Sequence, residues 1–165
     1  MSARGLGWLR RAGRLDLGGG ETVLWSVAEG RRGRRWRSIR RDAGGALVSD
    51  LLLELDPAGR WTRLELASAE GILTLHPKPD DSAVHGNVVT ERGVLPLAFP
   101  WSPGHRLVVQ GEPVAAVALG LRRADDSPAA GLRVTAELAV TAEEAIVESA
   151  GPPAGLPGPS WPLEV

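Results

Sequence analysis

The chain has 165 residues, a formal net charge of −1, 43% hydrophobic residues and 24% charged residues. These values fit one domain with a real core and exclude wholesale disorder. Cysteine is absent, which excludes disulfides, thiolate metal sites and cysteine catalysis. The 21 glycines and 13 prolines are too many for a mainly helical chain, because both residues break helix interiors.

The opening stretch, Met1 to Gly13, carries Arg4, Arg10 and Arg11 around Leu6, Trp8 and Leu9, without the apolar run of a signal peptide. Residues 1–20 read as an N-terminal arm that ends in Gly18-Gly19-Gly20. Glu21 to Ala28 is rich in Thr, Val and Trp and predicts a strand. Gly30 to Arg35 predicts a charged turn, Trp36 to Arg41 an extended segment, and Asp42 to Gly45 another turn.

Leu47 to Leu55 and Arg60 to Leu66 alternate with period two and flank Asp56-Pro57-Ala58-Gly59. Asp, Pro and Gly at the first, second and fourth positions match a type I turn, with Gly59 suited to a left-handed bulge. The pattern predicts a half-buried antiparallel hairpin. Ile72 to His76 and Ala83 to Thr90 read as strands around the proline-bearing Pro77 to Asp81, with Gly86 marking a bulge or a close approach. Val94 to Phe99 follows. Its proline-rich continuation, Pro96 to Gly104, reads as an ordered loop or an edge crossing.

Arg106 to Gln110 and Pro113 to Leu121 read as strands separated by Gly111-Glu112, and Arg122 to Gly131 as a polar turn region. Leu132 to Val140 has the cleanest alternation. Thr141 to Glu144 has capping-box spacing, so Ala142 to Ser149 is read as a short helix, with a continued strand as the rival. Residues 151–165 hold five prolines and read as a tail, with Leu156 and Trp161 as anchors.

Residues 21–150 are therefore expected to form a single mainly β domain. The expected architecture is an antiparallel meander folded as a curved half-barrel, barrel or sandwich, with at most one or two short helices.

Charge is unevenly spread. Residues 1–41 sum to +8 and the remainder to −9. The cluster Arg31, Arg32, Arg34, Arg35, Arg37, Arg40 and Arg41 around Trp36 has the residue types of a phosphate-binding surface. A near-neutral domain favours instead a solvated face partly paired with the acidic remainder. No nucleic acid partner is expected. No apolar run of 18 residues is present, so no transmembrane helix is expected, and the cytoplasm is the expected compartment.

His76 and His85 bracket Asp80-Asp81, a set that could ligate a divalent metal, but strand ends explain the same residues. Ser102 and His105 lie three residues apart without a nucleophile-elbow pattern. No phosphate loop is present. No catalytic residue, metal or cofactor is assigned. Trp25, Trp36, Trp61 and Trp101 fall in or beside strands, where they can fill a core or line an apolar cavity.

Trp25, the glycine-bearing turn after it, Leu51-Leu52-Leu53-Glu54-Leu55-Asp56, Trp61-Thr62-Arg63 and Val94-Leu95-Pro96-Leu97 carry a likeness. The stretch from Trp25 to about Gly120 resembles a glycolipid-binding family of bacterial uncharacterised proteins. That resemblance implies a lipoprotein-carrier-like curved sheet around an apolar cavity, and no catalytic residue.

The expected function is non-enzymatic binding of an apolar or amphipathic ligand, a lipid or glycolipid, in a cavity or groove of the sheet. The ligand-binding candidates are Trp25, Trp36, Trp61, Trp101, His76, His85, Asn87 and His105. The alternatives are an enzyme with a His-centred site performing metal-assisted hydrolysis, and a β module that pairs with itself as a homodimer through a sheet edge.

Overall fold

The computed structural model describes residues 9–120 and 129–146. The proline-rich tail, with Leu156 and Trp161, lies outside them. Eight strands follow one another as an antiparallel meander: β1 (Leu9–Gly18), β2 (Glu21–Gly30), β3 (Gly33–Arg41), β4 (Leu47–Leu55), β5 (Trp61–Ser68), β6 (Gly71–Pro77), β7 (Ala83–Thr90) and β8 (Gly93–Pro100). A second sheet has the order β11-β10-β9, built from β9 (Arg106–Val109), β10 (Ala129–Val134) and β11 (Val140–Ile146). The helix α1 (Pro113–Ala118) lies between β9 and β10 in sequence. The mainly β expectation holds, and the large sheet is not closed into a barrel.

Register explains which residues are buried. Trp25 pairs with Ser38, Ser38 with Leu51, Leu51 with Leu66, and Leu66 with Leu73. The neighbouring row runs Val27, Trp36, Leu53, Leu64, Leu75. Side chains alternate across a strand, so these rows share one face. Leu51, Leu53, Leu64, Leu66, Leu73 and Leu75 are fully buried there.

The second sheet and α1 supply the other layer of the core. Leu107, Val109, Val114, Ala115, Leu132 and Val134 join the same buried cluster. Towards β8 the apolar face is less covered. Val88, Leu97 and Phe99 are partly buried, and Leu95 is 61% exposed.

The Asp56 turn forms as expected. The Gly59 N–H donates to the Asp56 carbonyl at 2.9 Å, Gly59 has φ of 84°, and the ladder slips by a bulge between Glu54 and Leu55. Gly86 is a close approach and not a bulge. The β6–β7 register runs through it unbroken, and a Cβ at Gly86 would collide with the Thr74 carbonyl oxygen. Pro96 and Pro100 lie on β8, the edge strand, where the outward side of the backbone has no ladder partner.

Three segments differ from their sequence pattern. Residues 9–18, read as part of the arm, form strand β1 at the other edge. Its inner face carries Gly13, over which the Trp25 indole lies; a Cβ there would sit 2.8 Å from ring atoms. A glycine and Arg11 on the inner face dilute the apolar alternation that would have marked the strand.

Within Pro113 to Leu121, read as a strand, Pro113–Ala118 forms α1, with Pro113 in its first turn, where a missing N–H costs nothing. The crossover lets β9 and β10 pair in parallel, so the small sheet is mixed.

The alternating run Leu132 to Val140 is cut by a turn. The Leu138 N–H donates to the Thr135 carbonyl at 2.9 Å, and Leu138 is buried with φ of 61°. The chain then continues as β11, the rival to the helix expected from Ala142; residues 147–149 lie outside the described part.

Gly86→Ala should lower stability by about 1–3 kcal/mol, the range for overpacking a filled site. Gly104→Ala, where a Cβ meets nothing within 4 Å, should leave it unchanged. The urea midpoint measures both.

Candidate functional site

The arginine-rich segment is strand β3 and the turn before it. Its outward residues meet carboxylates on β4. Arg35 pairs with Glu54 at 2.6 Å and Arg37 with Asp50 at 3.0 Å, while Arg34 reaches Glu29 at 3.3 Å. Arg41 donates to the Gly45 carbonyl. Cross-strand charge pairing of this kind explains how a +8 segment sits in a near-neutral domain. Each exposed pair is worth about 0–1 kcal/mol.

His76 and His85 are direct register partners on the outward face of β6 and β7, beside the pair Thr74 and Asn87. His76 is exposed, and His85 and Asn87 are half-buried. The acidic residues between the two histidines are engaged elsewhere. Asp80 accepts from the Ser82 N–H and hydroxyl, and Asp81 accepts from Arg60. Among the described residues no group of three or more His, Asp or Glu is placed to hold a metal ion. His105 is far along the chain from this pair. It stands edge-on to Trp101 with ring centroids 5.4 Å apart, and its backbone N–H donates to the Ser102 carbonyl at 2.9 Å.

The four tryptophans are buried, with exposures of 6–8%. Trp25 lies 6.3 Å from Trp36, and Trp61 packs edge-on against Trp101 at 5.5 Å. Polar atoms in this core lack protein partners: Trp36 Nε1, Trp61 Nε1 and Ser38 Oγ. Buried donors are normally paired, so each of these calls for a partner. The structure thus gathers the tryptophans into the core and leaves His76, His85 and Asn87 on the opposite face.

A polar cluster under the second layer has no counterpart among the sequence-derived candidates. Glu112 precedes α1 and is buried, its side chain 1% exposed. Its Oε1 accepts from the Ser49 hydroxyl and lies 3.5 Å from Arg40 Nη1. Arg40 also donates to Glu21 and to the Gly111 carbonyl. Glu112 Oε2 has no partner. Burial pushes the Glu112 carboxyl above its ordinary value, against the Ser49 hydrogen bond and the Arg40 charge, which pull it down. The one available sequence signal was Ser49, a polar residue in phase with Leu51, Leu53 and Leu55 on the inner face.

A surface recess of about 340 Å³ lies between the β2–β3 and β4–β5 turns, lined by Glu29, Arg34 and Asp56 among others. Burial raises the Asp56 carboxyl, but the Arg60 N–H, the Arg60 guanidinium and the Ala58 N–H outweigh it and hold Asp56 below its ordinary value. No helix among the described residues is long and apolar enough to cross a membrane. No protein-family model matches the chain, and no curated protein or solved structure matches it.

The two carboxyls bend the pH profile in opposite ways. Asp56 contributes stability above its unfolded value, and this is lost as pH falls through its lowered folded value. Glu112 contributes stability that is fully present below its unfolded value and is lost as pH rises through its raised folded value. Denaturation across pH 3–8 (about the span of these groups) should show Asp56→Asn flattening the acid limb. Glu112→Gln should flatten the decline above it.

Proposed function

We propose that this chain binds an apolar or amphipathic ligand, a lipid or glycolipid, without catalysis, along the apolar face of its eight-stranded sheet. The observation that carries this reading is the set of buried, unpaired polar atoms at Trp36, Trp61 and Ser38 among the leucines and tryptophans of the core. Leaving a buried donor unmade costs about 1–3 kcal/mol. Ligand oxygens would recover that cost, and the alkyl part would extend over the leucine rows.

The row from Trp36 through Leu53, Leu64 and Leu75 reaches Gly86 and Leu97. There the covering layer thins and apolar side chains are partly exposed. That end is the proposed entry of the groove. The likeness to a glycolipid-binding family agrees with this assignment. On this reading Trp25, Trp36, Trp61 and Trp101 serve the ligand, while His76, His85 and Asn87 lie on the far face.

Intrinsic tryptophan fluorescence titrated with lysophospholipid and with an alkyl glycoside tests the proposal. Binding should shift the emission and saturate. Trp36→Phe and Trp61→Phe keep an aromatic ring and remove the donor, and each should weaken binding by about tenfold, the worth of one hydrogen bond. A flat response to every amphiphile would overturn the reading.

A further inference from the structure

The layer of β9, α1 and β10 shares no backbone ladder with the large sheet, because it forms a sheet of its own. It is held by side-chain packing and by polar contacts that converge on Gly111 and Glu112. The Ser49 hydroxyl on β4 donates to Glu112, and Arg40 on β3 donates to the Gly111 carbonyl and approaches Glu112 at 3.5 Å. Glu112 directly precedes Pro113, the first residue of α1. The bond to Ser49 therefore ties the start of the helix to β4. The leucine face that α1 helps to cover is the face assigned to the ligand above.

We propose that Glu112, held by Ser49 and Arg40, latches a cover of β9, α1 and β10 onto the apolar face of the large sheet, and that freeing this latch opens the face to an amphipathic ligand. The ligand in this statement rests on the binding reading above; the opening itself does not.

The latch is poised to release. Its carboxylate is buried with one oxygen unpartnered, so it makes fewer bonds than a fully satisfied buried charge would require. Arg40, from β3, is its cationic partner, but Arg40 is shared with Glu21 of β2. Glu21 competes for the guanidinium and repels Glu112. Ser49 of β4 faces it as a neutral donor. Burial disfavours the charged carboxylate, so proton loss on raising the pH weakens the hold of the cover.

Hydrogen exchange on the full chain, corrected for intrinsic rates, reads the opening directly. The amides of β9, α1 and β10 are compared with those of β4, β5 and β6 between about pH 5 and 8. In the unmodified chain, protection of the cover should fall as pH rises while β4–β6 stay protected. Glu112→Gln retains an acceptor for Ser49 and cannot ionise, so its cover protection should be independent of pH. Ser49→Ala removes the neutral donor and should lower cover protection by about tenfold at every pH.

Equal loss of protection in cover and sheet, or a pH-independent profile in the unmodified chain, would overturn the latch. Tryptophan fluorescence with dodecyl maltoside below its micelle concentration supplies the second readout. A faster response in Ser49→Ala, and a slower one in Glu112→Gln at high pH, supports both proposals. Selective opening of the cover with no response to the amphiphile upholds the latch and overturns the binding reading.

Discussion

The structure depends on phase. Strands β3 to β6 place most of their large apolar side chains on the same face, and their registers keep those side chains opposite one another from Trp36 to Leu75. A slip of one residue in any of these pairings would turn a whole leucine row to solvent and bring Arg35, Arg37, Glu54 and Glu65 into the core. Burial of charged groups without partners is far more costly than loss of a few ladder bonds. The turns protect this phase. The Asp56 side chain accepts from the Ala58 and Arg60 N–H groups, and the bulge at Leu55 then fixes where Trp61 points.

The same phase organises the electrostatics. Arg35 and Arg37 face outward on β3, and they pair with Glu54 and Asp50 on β4. The excess positive charge of the first quarter of the chain is therefore met by the acidic strand that follows it. Arg40 faces the other way. It lies in phase with the inner residues Trp36 and Ser38, so its guanidinium is carried under the second layer towards Glu21 and Glu112. A basic residue on this face calls for carboxylates, and the chain provides the half-buried Glu21 from β2 and the buried Glu112 from the turn before α1.

Different parts of this arrangement were legible in the sequence to different degrees. The hairpin around Asp56-Pro57-Ala58-Gly59 was fully legible, because turn chemistry and period two agreed. Strand β1 was obscured because Gly13 has given up its side chain to the Trp25 indole, leaving a gap in the alternation. Helix α1 was misread because Pro113 to Ala118 is short and apolar, and short apolar runs have no period that separates helix from strand. The turn inside Leu132 to Val140 carries neither glycine nor proline. Leu138 adopts the left-handed conformation there, buried beneath the packing that holds it. The tryptophans were legible as sheet residues. Their convergence into one core, and the unpaired Nε1 atoms of Trp36 and Trp61, followed from pairings across several strands.

By itself the sequence determined that this protein is an antiparallel β-structure punctuated by glycine and proline, without thiol chemistry, and with opposite charges in successive segments. Those properties depend on near neighbours in the chain: alternation, turn residues and composition. Tertiary structure alone decided that the large sheet stays open, that a separate layer covers one of its faces, and that Ser49 and Glu112, 63 positions apart, share a hydrogen bond. The physical reason is that such contacts are set by the summed register of many strands and by which faces remain to be buried. No local pattern records that sum, and a buried carboxylate such as Glu112 looks in sequence like any solvated one.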